Sequence, residues 1–166
     1  MKNEKQTFGV IIATRNIFNF ELAVTARKQV LDKLEKLGYN TVILPSEATP
    51  TGNIEGYGDA IKCAEYFKQH ADRIEGIVVI LPNFGDELGV VNTIHKAGLN
   101  VPVLVQACDD DNDKVDVKHR RDAFCGKISV CNNLYQYGIK FTDTTYHTYS
   151  LDSTEFEKDL HRFAGI

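Results

Sequence analysis

The sequence predicts an α/β domain built on a mainly parallel sheet of four to five strands. Three observations carry that expectation. Continuous apolar runs such as Ile77-Val78-Val79-Ile80-Leu81 lack the alternation of a half-exposed strand, so both of their faces must be covered. Helical patterns, with apolar residues every three or four positions, separate these runs. Glycines at 38, 98 and 138 close three of the helical patterns. Strands alternating with helices of this length form βαβ units, and right-handed crossovers place helices on both faces of the sheet.

The elements follow in order. Phe8 to Ala13 is the first buried strand. Asn19 can cap the helix after it, whose inner stripe is Leu22, Ala26, Val30, Leu34 and Leu37. Val42 to Leu44 is a second strand, followed by a turn-rich segment, Pro45 to Gly58, with two prolines and three glycines. A helix spans Asp59 to Asp72, with Ile61, Ala64, Tyr66 and Phe67 as inner residues. The Ile77–Leu81 strand is stopped by Pro82. A helix from Glu87 to Ala97, a strand from Val101 to Val105 and a long polar loop come next. Asp122 to Tyr137 is helical, Lys140 to Thr142 is a short fifth strand, and the capping-box spacing of Asp152 to Glu155 opens a last helix. No linker, repeat or low-complexity segment divides residues 1–166. They form one flavodoxin-like, doubly wound, three-layer domain.

Composition excludes several classes. The chain has 166 residues, 43% of them hydrophobic and 25% charged, as in soluble globular proteins. Its net charge is -4 and no basic block stands out, which argues against a nucleic-acid partner. No apolar run reaches the roughly 18 residues of a membrane span. The polar N-terminus, Met1 to Gln6, does not read as a signal peptide, so the cytoplasm is the expected location. Cys63, Cys108, Cys125 and Cys131 are too scattered for a disulfide framework. Cys125 and Cys131 point about 120° apart on one helix.

In parallel sheets, ligands bind beyond the carboxyl ends of the strands. That rule selects Thr14-Arg15-Asn16, Pro45 to Gly58, Asn83 to Glu87, and Gln106 to Asp111. These segments are rich in amides, carboxylates and an arginine that can bond hydroxyl groups, and Phe84 can cover the apolar face of a sugar. Arg15 suits either a structural ion pair or a ligand contact. Phe84 suits either a ligand or packing under the third helix. Other motifs fail. Thr49 to Asn53 resembles a flavin phosphate loop but follows the second strand instead of the first. Gly126-Lys127-Ile128-Ser129 lacks the Lys-Ser/Thr pair of a P-loop. Asp109, Asp111 and Asp113 open like a calcium loop, but Lys114 and Arg120 stand where Gly and Glu are needed. The acidic stretch reads either as a solvated loop capping the next helix or as part of a pocket rim. The five histidines are scattered, so no metal site is expected in this chain.

At these same segments the sequence resembles the L-fucose isomerase and L-arabinose isomerase family. The similarity lies in Ile12 to Asn19, Leu81 to Glu87, Leu104 to Asp110 and Arg121 to Asn133, within a likeness running from about Phe8 to Ala164. It resembles most the divergent, fucose-isomerase-like branch. The resemblance implies interconversion of aldoses and ketoses with Mn²⁺ or a similar divalent ion. It also implies that the metal ligands lie in later domains of a longer protein, so no residue here is catalytic or a metal ligand. It further implies that this domain closes the sugar pocket of a neighbouring subunit in a homo-oligomer. Arg15, Asn83 and Phe84 match the segments that reach that pocket, with Gln106, Asp109 and Asp110 from the adjacent loop. Two other readings stay open: a free-standing sugar- or effector-binding module, and a flavin-binding relative of flavodoxin.

Overall fold

A computed structural model describes residues 6–166. Strand β1 (Thr7–Ile12) is followed by helix α1 (Glu21–Lys36) and strand β2 (Asn40–Ile43). A single 3-10 turn (Ser46–Ala48) precedes α2 (Tyr57–Gln69) and β3 (Gly76–Leu81). Then come α3 (Glu87–Ala97), β4 (Val103–Ala107), α4 (Ala123–Gln136), the short β5 (Thr142–Asp143) and α5 (Thr154–Ala164). The five strands form one sheet in the order β2-β1-β3-β4-β5, and every neighbouring pair is parallel. This is the flavodoxin-like order, with its switch point between β1 and β3.

Alternation along the strands divides the core in two. Ile11, Ile77, Val79, Leu81, Val103 and Val105 face α2, α3 and α4. Phe8, Val10, Ile12, Val78, Ile80 and Leu104 face α1 and α5. Each fully buried side chain of this size contributes about 1.5–3 kcal/mol. The apolar runs that predicted two-sided burial are thus the middle layer of three.

Several boundaries shift for local reasons. Asn19 lies one residue before the capping position of α1, which Phe20 occupies, and its Oδ1 accepts from Glu21 N at 3.1 Å. The β4 ladder begins at Val103, after Pro102, which has no N–H to donate. In α2, Ala64 and Phe67 face the core as expected. Ile61 and Tyr66 are only half-buried, and Asp59, Ala60 and Cys63 take the inner face instead. Asp59 tolerates burial because its Oδ2 accepts from Glu55 N at 3.0 Å. The last helix is capped by Ser153 rather than Asp152: Ser153 Oγ accepts from Phe156 N at 3.2 Å. The cysteines are free, and burial pushes the Cys63 thiol up to about 12.

Candidate functional site

Because all five strands run the same way, the segments after β1, β3 and β4 emerge at one end of the sheet. Asn83 joins two of them. Fully buried, it donates from Nδ2 to Thr14 Oγ1 at 2.8 Å and accepts at Oδ1 from Gly85 N at 3.0 Å. Gly85 has a φ of 73°, which favours glycine, and an added Cβ would lie 2.8 Å from Leu81 Cδ2. Arg15 then reaches across the switch point. Its Nε donates to Gly85 O at 2.9 Å, and its guanidinium forms an ion pair with Glu87.

The guanidinium also lies 4.5 Å from the centre of the Phe84 ring. Phe84 also stacks on Phe18, with ring centres 6.2 Å apart and planes 21° from parallel. Arg120 continues the pile, 5.4 Å from the Phe18 centre. Arginine, phenylalanine, phenylalanine and arginine therefore stack across the loops after β1, β3 and β4. Cation–π contacts of this kind contribute about 0.5–1 kcal/mol each at exposed sites. Within the stack Phe84 is half-buried.

Behind the stack, Gly126 on α4 lets the loop approach the helix. An added Cβ there would lie 1.7 Å from Phe84 O, closer than any non-bonded atoms can come. Arg121 fixes the same loop from outside, donating to Pro82 O at 2.9 Å. The acidic loop does not cap α4, whose N-cap residue Asp122 makes no side-chain cap, but it braces the chain ahead of the helix. Asp110 Oδ1 accepts from Arg121 N at 2.6 Å and Asp122 N at 3.4 Å, ahead of α4. Asp109 is exposed beside it.

Gln106 does not reach the surface. It is fully buried, and its Nε2 donates to Tyr149 O at 2.9 Å. Arg15, Phe84, Asp109 and Asp110 thus present side chains at the rim, while Asn83 and Gln106 hold the backbone beneath it. Residues 9–166 match a family described as fucose/sulfoquinovose isomerase, N-terminal domain. The chain belongs to that family. Comparison with curated proteins finds no match.

Within this isomerase domain, no three His, Cys, Asp or Glu side chains of the described residues gather to hold a metal ion. A cavity of about 550 Å³ opens at the opposite end of the sheet, between the α3–β4 and α4–β5 connections. Leu99, Pro102, Ile139 and Phe141 wall it, with His95 and Lys140 as its ionisable groups. Asn100 and Thr142 add hydrogen-bonding groups to its lining. No helix of the described residues is long and apolar enough to cross a membrane.

Sequence reasoning singled out neither Phe18, Arg120 nor Glu87 as individual contacts, although Glu87 lies in a strand-end segment it selected and Phe18 in a stretch that carries the family resemblance. An aromatic residue in the polar loop after the first strand was the available signal for Phe18. For Arg120 there was none, because its partner is reached only by folding.

Proposed function

We propose that the chain is the substrate-rim and oligomerisation domain of a metal-dependent aldose–ketose isomerase of the L-fucose/L-arabinose type, acting in cytoplasmic carbohydrate metabolism. The observation that supports this most is the convergence of Arg15, Phe84, Asp109 and Asp110 at one end of a parallel sheet, in a chain of the fucose/sulfoquinovose isomerase N-terminal family. In this reading the ligands for Mn²⁺ or a similar ion, and the residues that move protons, belong to the C-terminal domains of the same protein. The rim meets the sugar in a neighbouring subunit of a homo-oligomer.

The chain's own residues bind and orient. Arg15 uses Nε for Gly85 O and one terminal nitrogen for Glu87, which leaves N–H groups to donate to sugar hydroxyls. Pairing with Glu87 offsets its charge, which suits a neutral polyol. The exposed part of Phe84 covers apolar C–H surface. Asp109 accepts from hydroxyls as an exposed carboxylate. The Asn83 clamp and the Gly126 contact keep these groups in place before the sugar arrives, which lowers the entropy cost of closing the pocket.

An activity assay tests the reading. The purified 166-residue chain with Mn²⁺ should interconvert no aldose and ketose, whereas the longer protein that carries it should. Turnover by the short chain alone would overturn the division of labour. Tight sugar binding by the short chain in titration calorimetry would favour a free-standing module instead.

A further inference from the structure

Helix α4 is covered on one side only. Its inner face packs Ala123, Gly126, Lys127, Val130 and Leu134 into the domain. Its outer face is also apolar, with Phe124 41%, Ile128 56% and Tyr135 78% exposed. Together with half-buried Cys131, these residues follow one another at spacings of four, three and four. That is the seam spacing by which one helix packs along another. Here α3 flanks α4 on one side, and on the other both the helix layer and the sheet end, at β5.

Two features show what the seam can accept. The first is charge. Lys127 is the only charged residue in α4, and it is buried, with Nζ 2.5 Å from Asp143 Oδ1. One flank of the seam carries the uncharged Cys125, Ser129, Asn132 and Gln136, and the other is the Lys127–Asp143 pair, whose charges offset each other. Copies of a chain with a net charge of -4 can meet on this uncharged seam with no like charges set against each other. The second is self-complementarity. A two-fold axis between Ser129 and Val130 sets Ile128 against Cys131 of a second copy, and Phe124 against its Tyr135. Each position on the seam then meets a seam position, as an isologous contact requires. The neighbouring sheet edge does not compete for the partner. Strand β5 is two residues long, and its Asp143 is held by Lys127 and Arg162, which blunts the edge against strand addition.

We infer that the outer face of α4 is a homotypic interface, on which two copies of this chain pair with their α4 helices antiparallel. The 14 residues of α4 give a contact about 21 Å long. The two rims then point in opposite directions, so the contact leaves both free, and it stands or falls separately from the sugar reading.

Sedimentation equilibrium and thiol trapping test the inference together. The chain should sediment at twice its mass of 18.6 kDa at high concentration. Ile128→Lys and, separately, Tyr135→Lys should each return it to a monomer. Val24→Lys, an exposed site on α1, should leave the dimer intact. Both α4 positions are solvent-exposed, so these variants should keep the helical circular dichroism of the parent. In a Cys125→Ser background, Ile128→Cys should give a covalent dimer on mild oxidation, and adding Cys131→Ser should abolish it. A chain that stays monomeric, as it would if another domain or another protein covers this face, overturns the inference. So does a dimer that survives both lysine substitutions, or an oxidised sample with no covalent dimer.

Discussion

Asn83 and Arg15 divide the rim between them: one is wholly inside and fixes the backbone, the other is half outside and carries donors. Asn83→Ala would leave Gly85 N and Thr14 Oγ1 without their partner in a buried place, at about 2 kcal/mol. Thermal unfolding should show it, and an unchanged Tm would contradict the clamp. Glu55 gives a pH-dependent test on the neighbouring loop. Burial first, then the charges of Asp59 and Asp86, push its carboxyl up. A raised carboxyl favours the fold fully below its unfolded value of about 4.3, and the advantage is lost as pH rises through the higher folded value. Glu55→Gln should therefore raise Tm at neutral pH and change little at pH well below 4. Calorimetry at both conditions checks this, and a neutral-pH loss of stability would contradict it. Arg15 and Phe84 were legible as candidates because a strand's carboxyl end is fixed by sequence order. That Asn83 and Gln106 turn inward was not, because an amide bonds a backbone group as readily as a hydroxyl.

Among the elements, α3 was readable to the residue, since Asp86 caps its start and the left-handed Gly98 ends it. The start of α4 was harder. Asp122 there has a φ of 50° and makes no side-chain cap, while Asp110, twelve positions earlier, bonds the chain just ahead of the helix. Strand β5 was placed early because its position depends on Lys127 and on the β4 register, neither of which leaves a local pattern. Gly126 shows the same limit: a glycine inside a helix announces a close approach but not what approaches. Gly126→Ala must move α4 away from Phe84 and should cost about 3 kcal/mol, lowering Tm by about 6–12 °C. A variant as stable as the parent would contradict the contact. Helix α5 and the 144–149 segment share Asp159. Burial alone would raise its carboxyl, but bonds from Tyr149 and Thr145 and the pair with Arg162 outweigh it and hold it low. This contribution is present above the unfolded value of about 3.9 and is lost as pH falls through the lower folded value. Asp159→Asn should destabilise at neutral pH by about 3 kcal/mol, and the difference should shrink in acid.

For the whole molecule, the parallel arrangement decides function by gathering the loops after β1, β3 and β4 on one side, while the α4 seam faces sideways and the apolar cavity faces the other end. The sheet order follows from two-sided apolar runs joined by helices, which is why the three-layer architecture was visible in the sequence. The Arg15–Phe84–Phe18–Arg120 stack was not, since it joins three loops whose spacing along the chain is arbitrary. If the rim holds a sugar for a metal supplied by another part of the protein, the most direct measurement is steady-state kinetics of the longer isomerase carrying Arg15→Ala. We predict a fall in kcat/KM of about 100-fold, the scale of a lost positioning contact, with metal content and melting temperature unchanged. An unaltered kcat/KM would contradict the account.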